Sequence, residues 1–139
     1  MSAKSRKPKT PTAREAARVA EFRVAVRRFL HESERIARES GITPRWYVLL
    51  LLIKGAPDLS ERSTVGELAD RLMLAQSSVT ELVARAEQAG LISREPSSED
   101  GRVAYLRLTA EGEQRFAEAF KSLTAERRAL QKAISGLEK

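Results

Sequence analysis

The chain has 139 residues, 42% of them hydrophobic and 32% charged, which is enough for one domain with an apolar core. It contains no cysteine and one histidine, so disulfides, thiol chemistry and Cys-ligated zinc are excluded, and we expect no metal or cofactor. The longest apolar run, residues 46–53, is too short to cross a bilayer, and the N-terminal region lacks the apolar stretch of a secretory signal. We therefore expect a cytoplasmic protein and no membrane segment.

The net charge of +6 comes mainly from an N-terminal arm, residues 1–14. The arm has no acid, and its five cations leave +1 for the rest of the chain: Lys4, Arg6, Lys7, Lys9 and Arg14. This composition predicts a disordered arm. The arm either tethers the protein to a polyanion or serves only as a solubilising leader.

Two helices are predicted before residue 56. A 3–4 spacing of apolar side chains predicts a long amphipathic helix over about 15–40, with Val19, Phe22, Val26, Phe29 and Ile36 on one face. Thr43 and Pro44 then have the order of a helix cap and a first-turn proline. Because residues 46–53 are apolar on every side, we expect this second helix at the buried centre of the domain.

A helix-turn-helix is predicted over about 64–89. Thr64 and Glu67 have the spacing of a capping box, and the short connection 73–75 leads to a helix over 76–88. One face of this helix is apolar and the opposite face is polar, with Gln76, Ser77, Thr80, Arg85 and Gln88 on or beside it. Such a row is typical of a recognition helix in the major groove, and also of any solvated helix face.

A β-hairpin, or wing, is predicted over about 91–108, with strands at 91–95 and 103–108. Arg94 and Arg102 lie on its two arms, and Asp100 stands two residues before Arg102. An arginine near a hairpin tip suits a narrow minor groove, with Asp100 holding the guanidinium; the alternative is an ordinary exposed ion pair. From 109 to 138, apolar side chains at a 4–3 spacing predict one last helix.

Five motifs at their joint spacing resemble the multiple-antibiotic-resistance regulator (MarR) family of bacterial transcription factors: GELADRL at 66–72, QSSVT at 76–80, GLISR at 90–94, DGR at 100–102 and LTAEG at 108–112. The resemblance covers residues 15–139. It implies a mainly α fold with a small β-hairpin wing, which is a winged helix-turn-helix with long dimerisation helices at 15–40 and 109–138. It further implies a homodimer that binds a palindromic operator in double-stranded DNA, and hence a cytoplasmic protein associated with the nucleoid.

The resemblance also assigns DNA contacts. It places base contacts on Gln76, Ser77, Ser78, Thr80 and Glu81, a phosphate contact near Thr64, and the wing pair on Asp100 and Arg102. It implies a repressor that a small aromatic or phenolic effector releases from DNA.

Three features depart from the family pattern: Glu81 replaces a basic residue, Ala75 replaces a capping side chain, and the cysteine of the peroxide-sensing branch is missing. Because residues 75–90 sum to −1, phosphate attraction must come from elsewhere, such as Arg62, Arg94, Arg102, Arg107 or the arm.

Four residues are candidates for effector binding, because aromatic rings beside a cation form an anion-binding aromatic pocket: His31, Arg45, Trp46 and Tyr47. The alternative is that Trp46 and Tyr47 belong to the core and that His31 is solvated.

The leading interpretation is a dimeric, ligand-responsive DNA-binding regulator. The alternative is a winged-helix module that binds another protein and has lost DNA binding, which a recognition helix without net positive charge favours. An enzyme is not expected, since the chain has no phosphate-binding glycine loop, no thiol and only one histidine. The apolar faces of the first and last helices predict a partner surface, although packing within one chain would also bury them.

Overall fold

The computed structural model describes residues 9–96 and 102–137. Eight elements follow one another in this part of the chain: α1 (Ala13–Glu39), α2 (Pro44–Lys54), α3 (Val65–Leu72), α4 (Gln76–Gln88), β1 (Ile92–Pro96), β2 (Ala104–Leu108), α5 (Ala110–Ser122) and α6 (Thr124–Leu137). Residues 1–8 of the predicted arm and Asp100 of the predicted wing lie outside the described residues.

The second helix is the centre of the core, as its uniformly apolar sequence predicts. Thr43 Oγ1 accepts a hydrogen bond from the Trp46 amide at 3.1 Å, which caps α2. Leu49, Leu50 and Ile53 are completely buried. One part of α2 departs from the prediction of a helix buried on every side. Val48 is 40% exposed, so one face of α2 is not covered by the rest of the described chain.

The helix-turn-helix forms where the capping signals predict it. The Thr64 side chain accepts from the Glu67 amide, and the Glu67 carboxylate accepts from the Thr64 amide at 2.8 Å, which completes the capping box of α3. Met73 adopts a left-handed conformation with φ 55°, and the Leu74 amide donates to the Ala69 carbonyl at 3.1 Å. The chain therefore reverses within residues 73–75 and starts α4 at once.

The wing is a two-stranded antiparallel sheet in which Ile92 lies opposite Leu108 and Pro96 opposite Ala104. Ser63, just before α3, extends it by pairing with Leu106: each amide donates to the other residue's carbonyl, at 3.2 and 2.8 Å. The hairpin prediction is confirmed. The extra pairing joins the base of the wing to the start of the helix-turn-helix.

The last helix predicted over 109–138 is observed as two helices, α5 and α6, which corrects that prediction. The break is at Leu123, whose amide donates to the Phe120 carbonyl three residues back, at 3.2 Å, as in a tightened last turn. The Ser122 hydroxyl also donates to the Glu118 carbonyl at 3.0 Å, a contact that tends to bend helices. Leu123 itself is buried.

The chain divides into two compact units. Residues 33–123 form one unit, and every buried side chain among the described residues belongs to it. The other unit consists of residues 9–32 and 124–137, in which none of the described side chains is buried. Within the described residues, no helix combines the length and the apolar character that a membrane crossing requires.

Candidate nucleic-acid interface

Helix α4 turns its apolar side chains to the core and its polar side chains to solvent. Val79, Val83 and Ala86 are buried, which fixes the rotation of the helix about its axis. The exposed side chains include Gln88 and all those of α4 that the sequence assigned to DNA: Gln76, Ser77, Ser78, Thr80, Glu81 and Arg85. They therefore share one accessible surface, and their contact with DNA stays a prediction.

The turn brings the start of α3 next to the start of α4. A Cβ placed on Gly66 would lie 3.6 Å from Gln76 Nε2 and 3.9 Å from Thr64 Oγ1. Thr64 Oγ1 accepts from the Glu67 amide at 3.1 Å, so its hydroxyl hydrogen is left to donate. The predicted phosphate contact and the first predicted base contact thus lie at the same end of the helix-turn-helix.

Two of the predicted contact arginines pair with acids from α4. Arg85 Nη2 lies 2.8 Å from Glu81 Oε1, one helical turn away, and Arg94 Nε lies 2.7 Å from Glu87 Oε1. Exposed pairs of this kind contribute only about 0–1 kcal/mol, so a phosphate can replace the carboxylate as partner. Without a bound phosphate, the one arginine of α4 stays paired with a carboxylate, so the helix presents little unpaired positive charge.

The arginines Arg62 and Arg107 converge on Glu95 at the base of the wing. Glu95 Oε1 accepts from Arg107 Nε at 3.0 Å and from Arg62 Nη1 at 3.4 Å. The hydrogen bond from Arg107 holds the pKa of Glu95 below its ordinary value, with Arg62 adding to the effect. The Arg62 guanidinium also lies 4.1 Å from the centre of the Tyr105 ring. Two guanidinium groups therefore share one carboxylate, which leaves one excess positive charge at the base of the wing.

Sequence reasoning missed this cluster because it depends on strand register. Glu95 lies opposite Tyr105 in the ladder, and Arg107 follows two residues later on the same face. The cluster of Arg62, Glu95 and Arg107 could have been found only from the residue-by-residue pairing of the two strands. Arg102 is exposed next to the hairpin loop, and its predicted partner Asp100 lies outside the described residues.

An open cavity of about 620 Å³ adjoins α4 within the unit 33–123. Its lining comes from the end of α1 (Glu34 and Arg38), the start of α2 (residues 43–46) and one side of α4 (Ser78, Glu81, Leu82 and Arg85). Sequence patterns do not indicate that candidate effector residues and candidate DNA contacts share a cavity, since this requires the packing of α1 and α2 beside α4.

The structure brings two of the four candidate effector residues together. Arg45 and Trp46 line the cavity. Tyr47 is 5% exposed and stacks on Phe116 with ring centroids 5.7 Å apart, so it belongs to the core, as the alternative held. His31 is exposed on α1 and is not part of the lining.

The cavity has one cation without an acidic partner among the residues described. Arg38 faces Glu34 at 3.9 Å and Arg85 is bonded to Glu81, whereas Arg45 makes no hydrogen bond or ion pair with the described chain. The lining therefore has an excess positive charge beside an indole ring.

Known proteins resemble this chain in sequence and in fold. A sequence model of the MarR family matches residues 40–103, which span α2, the helix-turn-helix and the first strand of the wing. Residues 40–103 thus resemble the MarR family.

Two curated relatives are named HTH-type transcriptional repressors. IacR of Pseudomonas putida is 31% identical over 111 residues, which are 79% of this chain and 62% of IacR. MdtR of Bacillus subtilis (strain 168) is 36% identical over 80 residues, which are 58% of this chain and 49% of MdtR. The chain thus spans between about half and three fifths of the lengths of these relatives.

The chain also has the fold of solved MarR-family regulators. A crystal structure of Sco3205, a MarR family transcriptional regulator from Streptomyces coelicolor in complex with DNA, superposes with a TM-score of 0.64. The sequences are 24% identical, and the alignment covers 92% of this chain and 78% of that one. The prediction of a mainly helical, winged helix-turn-helix fold is confirmed.

Proposed function

We propose that this protein is a DNA-binding transcriptional regulator that inserts α4 into a major groove and its wing into the adjacent minor groove. The observation that carries the proposal is the exposed polar row of α4 on a helix whose other face is locked into the core. Gln76, Ser77 and Thr80 supply donors and acceptors for base edges, and Thr64 supplies a donor for phosphate at the same end.

We infer from the relatives that regulation takes the form of repression rather than activation. IacR and MdtR are both named repressors, and Sco3205 was crystallised with DNA. We propose repression by occupation of an operator, carried out in the cytoplasm at the nucleoid. Regulators of this family are not enzymes, which agrees with the prediction from the sequence.

The proposed active form is a homodimer. In the unit of residues 9–32 and 124–137, large apolar side chains stand open to solvent, including Val19 (57% exposed), Leu30 (55%) and Ile134 (44%). The parts of α1 and α6 in this unit have no buried side chain, and such helical segments gain stability by burying apolar surface against a partner. A twofold dimer presents its α4 helices to half-sites about 34 Å apart, which favours a palindromic operator.

The proposed effector is a small aromatic or phenolic anion that binds at Arg45 and Trp46. The cavity volume of about 620 Å³ is suitable for such a molecule, and the two side chains offer a cation and a flat apolar surface. To release DNA, the effector must bind the DNA-free state more tightly than the bound state, because equal affinity shifts no equilibrium.

Salt-dependent DNA binding tests the proposed function. Anisotropy of a labelled duplex, titrated with the full chain at rising salt, should give an affinity that falls linearly on logarithmic axes. Thr80→Ala should weaken binding, whereas Ser135→Ala on α6 should not. An unshifted duplex at low salt would favour the alternative of a protein-interaction module.

A further inference from the structure

We propose that Arg45, at the start of α2, binds a DNA backbone phosphate beside the groove that receives α4. The inference rests on the proposed function and adds α2 to its interface. Arg45 lies in neither the helix-turn-helix nor the wing, so it extends the DNA-binding surface to an element outside both.

The first argument is the charge of the recognition helix. Residues 75–90 carry Arg85 against Glu81 and Glu87, a sum of −1, and Arg85 is already bonded to Glu81 at 2.8 Å. A helix of this charge inserted between two rows of phosphates needs neighbouring cations to offset the repulsion. The wing base offers an excess of only one positive charge, since Arg62 and Arg107 share the single carboxylate of Glu95.

The second argument is position. Arg45 and Trp46 of α2 line the same cavity as Ser78, Glu81 and Arg85 of α4. A phosphate that flanks the groove on this side of α4 therefore comes within reach of the Arg45 side chain. Ser78 and Arg85 bound the same space from the recognition helix.

The third argument is availability. Of the three arginines in the lining, Arg38 and Arg85 each face a carboxylate, and Arg45 alone is unpaired within the described chain. An unpaired, exposed guanidinium binds phosphate without first giving up an ion pair. The carboxylate of a free aromatic ligand offers the same chemistry, so the experiment must separate the two sources.

The experiment compares Arg45→Gln, Arg45→Lys and a control, Lys121→Gln, which removes the same charge from the exposed surface of α5, outside the proposed dimer surface. Each full-length variant is titrated against two unrelated duplexes from about 50 to 200 mM salt. We expect Arg45→Gln to weaken binding to both duplexes by about tenfold at low salt. It should also reduce the salt slope by about 0.9 per lost phosphate contact. Arg45→Lys should keep most of the affinity, and Lys121→Gln should behave as wild type.

A benzoate titration, followed by the emission of Trp46, the only tryptophan of the chain, gives the second arm. If Arg45→Gln abolishes the benzoate response and leaves DNA affinity and slope unchanged, the cavity serves a free ligand and the inference is wrong. Loss on one duplex alone would indicate a base contact, and an equal loss in Lys121→Gln would indicate an effect of net charge alone; either result overturns the inference. If wild type binds neither duplex, the proposed function itself fails.

Discussion

Glu81 occupies the exposed surface of α4 and is bonded to Arg85 at 2.8 Å. A carboxylate in the major groove accepts from the amino group of cytosine, but it repels phosphate and holds an arginine that would otherwise bind it. Glu81 should therefore contribute to sequence preference rather than to affinity.

The variant Glu81→Gln tests this role. Removing the charge frees Arg85, so affinity for a random duplex should rise, while the preference for a selected operator should fall by about 1–3 kcal/mol. The measurement is the dissociation constant on both duplexes at one salt concentration.

Glu87→Gln is the matched control for this variant, because Glu87 is also on α4 and also pairs with an arginine, Arg94. It should change affinity for the two duplexes equally. If Glu81→Gln does the same, the proposed role in sequence preference is wrong.

At this scale the sequence predicted which side chains of α4 are exposed, because helical periodicity alone determines the face that Val79 and Val83 occupy. It did not predict the partners of the arginines, which depend on rotamers and on strand register. Nor did it predict the place of Tyr47, since an aromatic side chain at the start of an apolar helix suits either a core or a pocket, and here Phe116 stacks on it.

The two helices of the helix-turn-helix differ in how they begin. The start of α3 has a complete capping box, whereas Ala75 at the start of α4 makes no side-chain cap hydrogen bond. Ala75 already has the extended conformation of a cap residue, with φ −65° and ψ 147°. Ala75 thus lacks only the side-chain hydroxyl that would cap α4.

Ala75→Ser should stabilise the protein by about 0.5–1 kcal/mol, because the added hydroxyl accepts from a first-turn amide of α4. Urea unfolding of the variant and wild type measures the difference. Thr64→Ala, which removes the working cap of α3, should lower stability by about 1 kcal/mol and serves as the control of opposite sign. A destabilised Ala75→Ser variant would show that the start of α4 is not limited by its cap.

The elements predicted most accurately are those with local signals at both ends. Helix α2 lies between its cap residues Thr43 and Gly55, as the sequence indicates. The turn at 73–75 lies between the predicted ends of α3 and α4. The break at Leu123 had no such signal, because the apolar spacing continues across it. Burial of Leu123 is a property of the packed unit, which periodicity does not reveal.

At the scale of the whole molecule, the distribution of buried side chains indicates different roles for the two units of the chain. Residues 33–123 hold the core, the helix-turn-helix and the wing, and so fold and present the proposed reading surface. Residues 9–32 and 124–137 contribute no buried side chain among those described, and their exposed apolar residues suit a second copy of the chain. In the proposed dimer, two reading surfaces therefore engage one duplex together.

Selection of binding sites from a random duplex library by the purified full-length protein tests this requirement most directly. We expect enrichment of an inverted repeat whose half-sites are centred about one helical turn, or about 10 base pairs, apart. Enrichment of a single unrepeated site, or of no sequence at all at low salt, would contradict it.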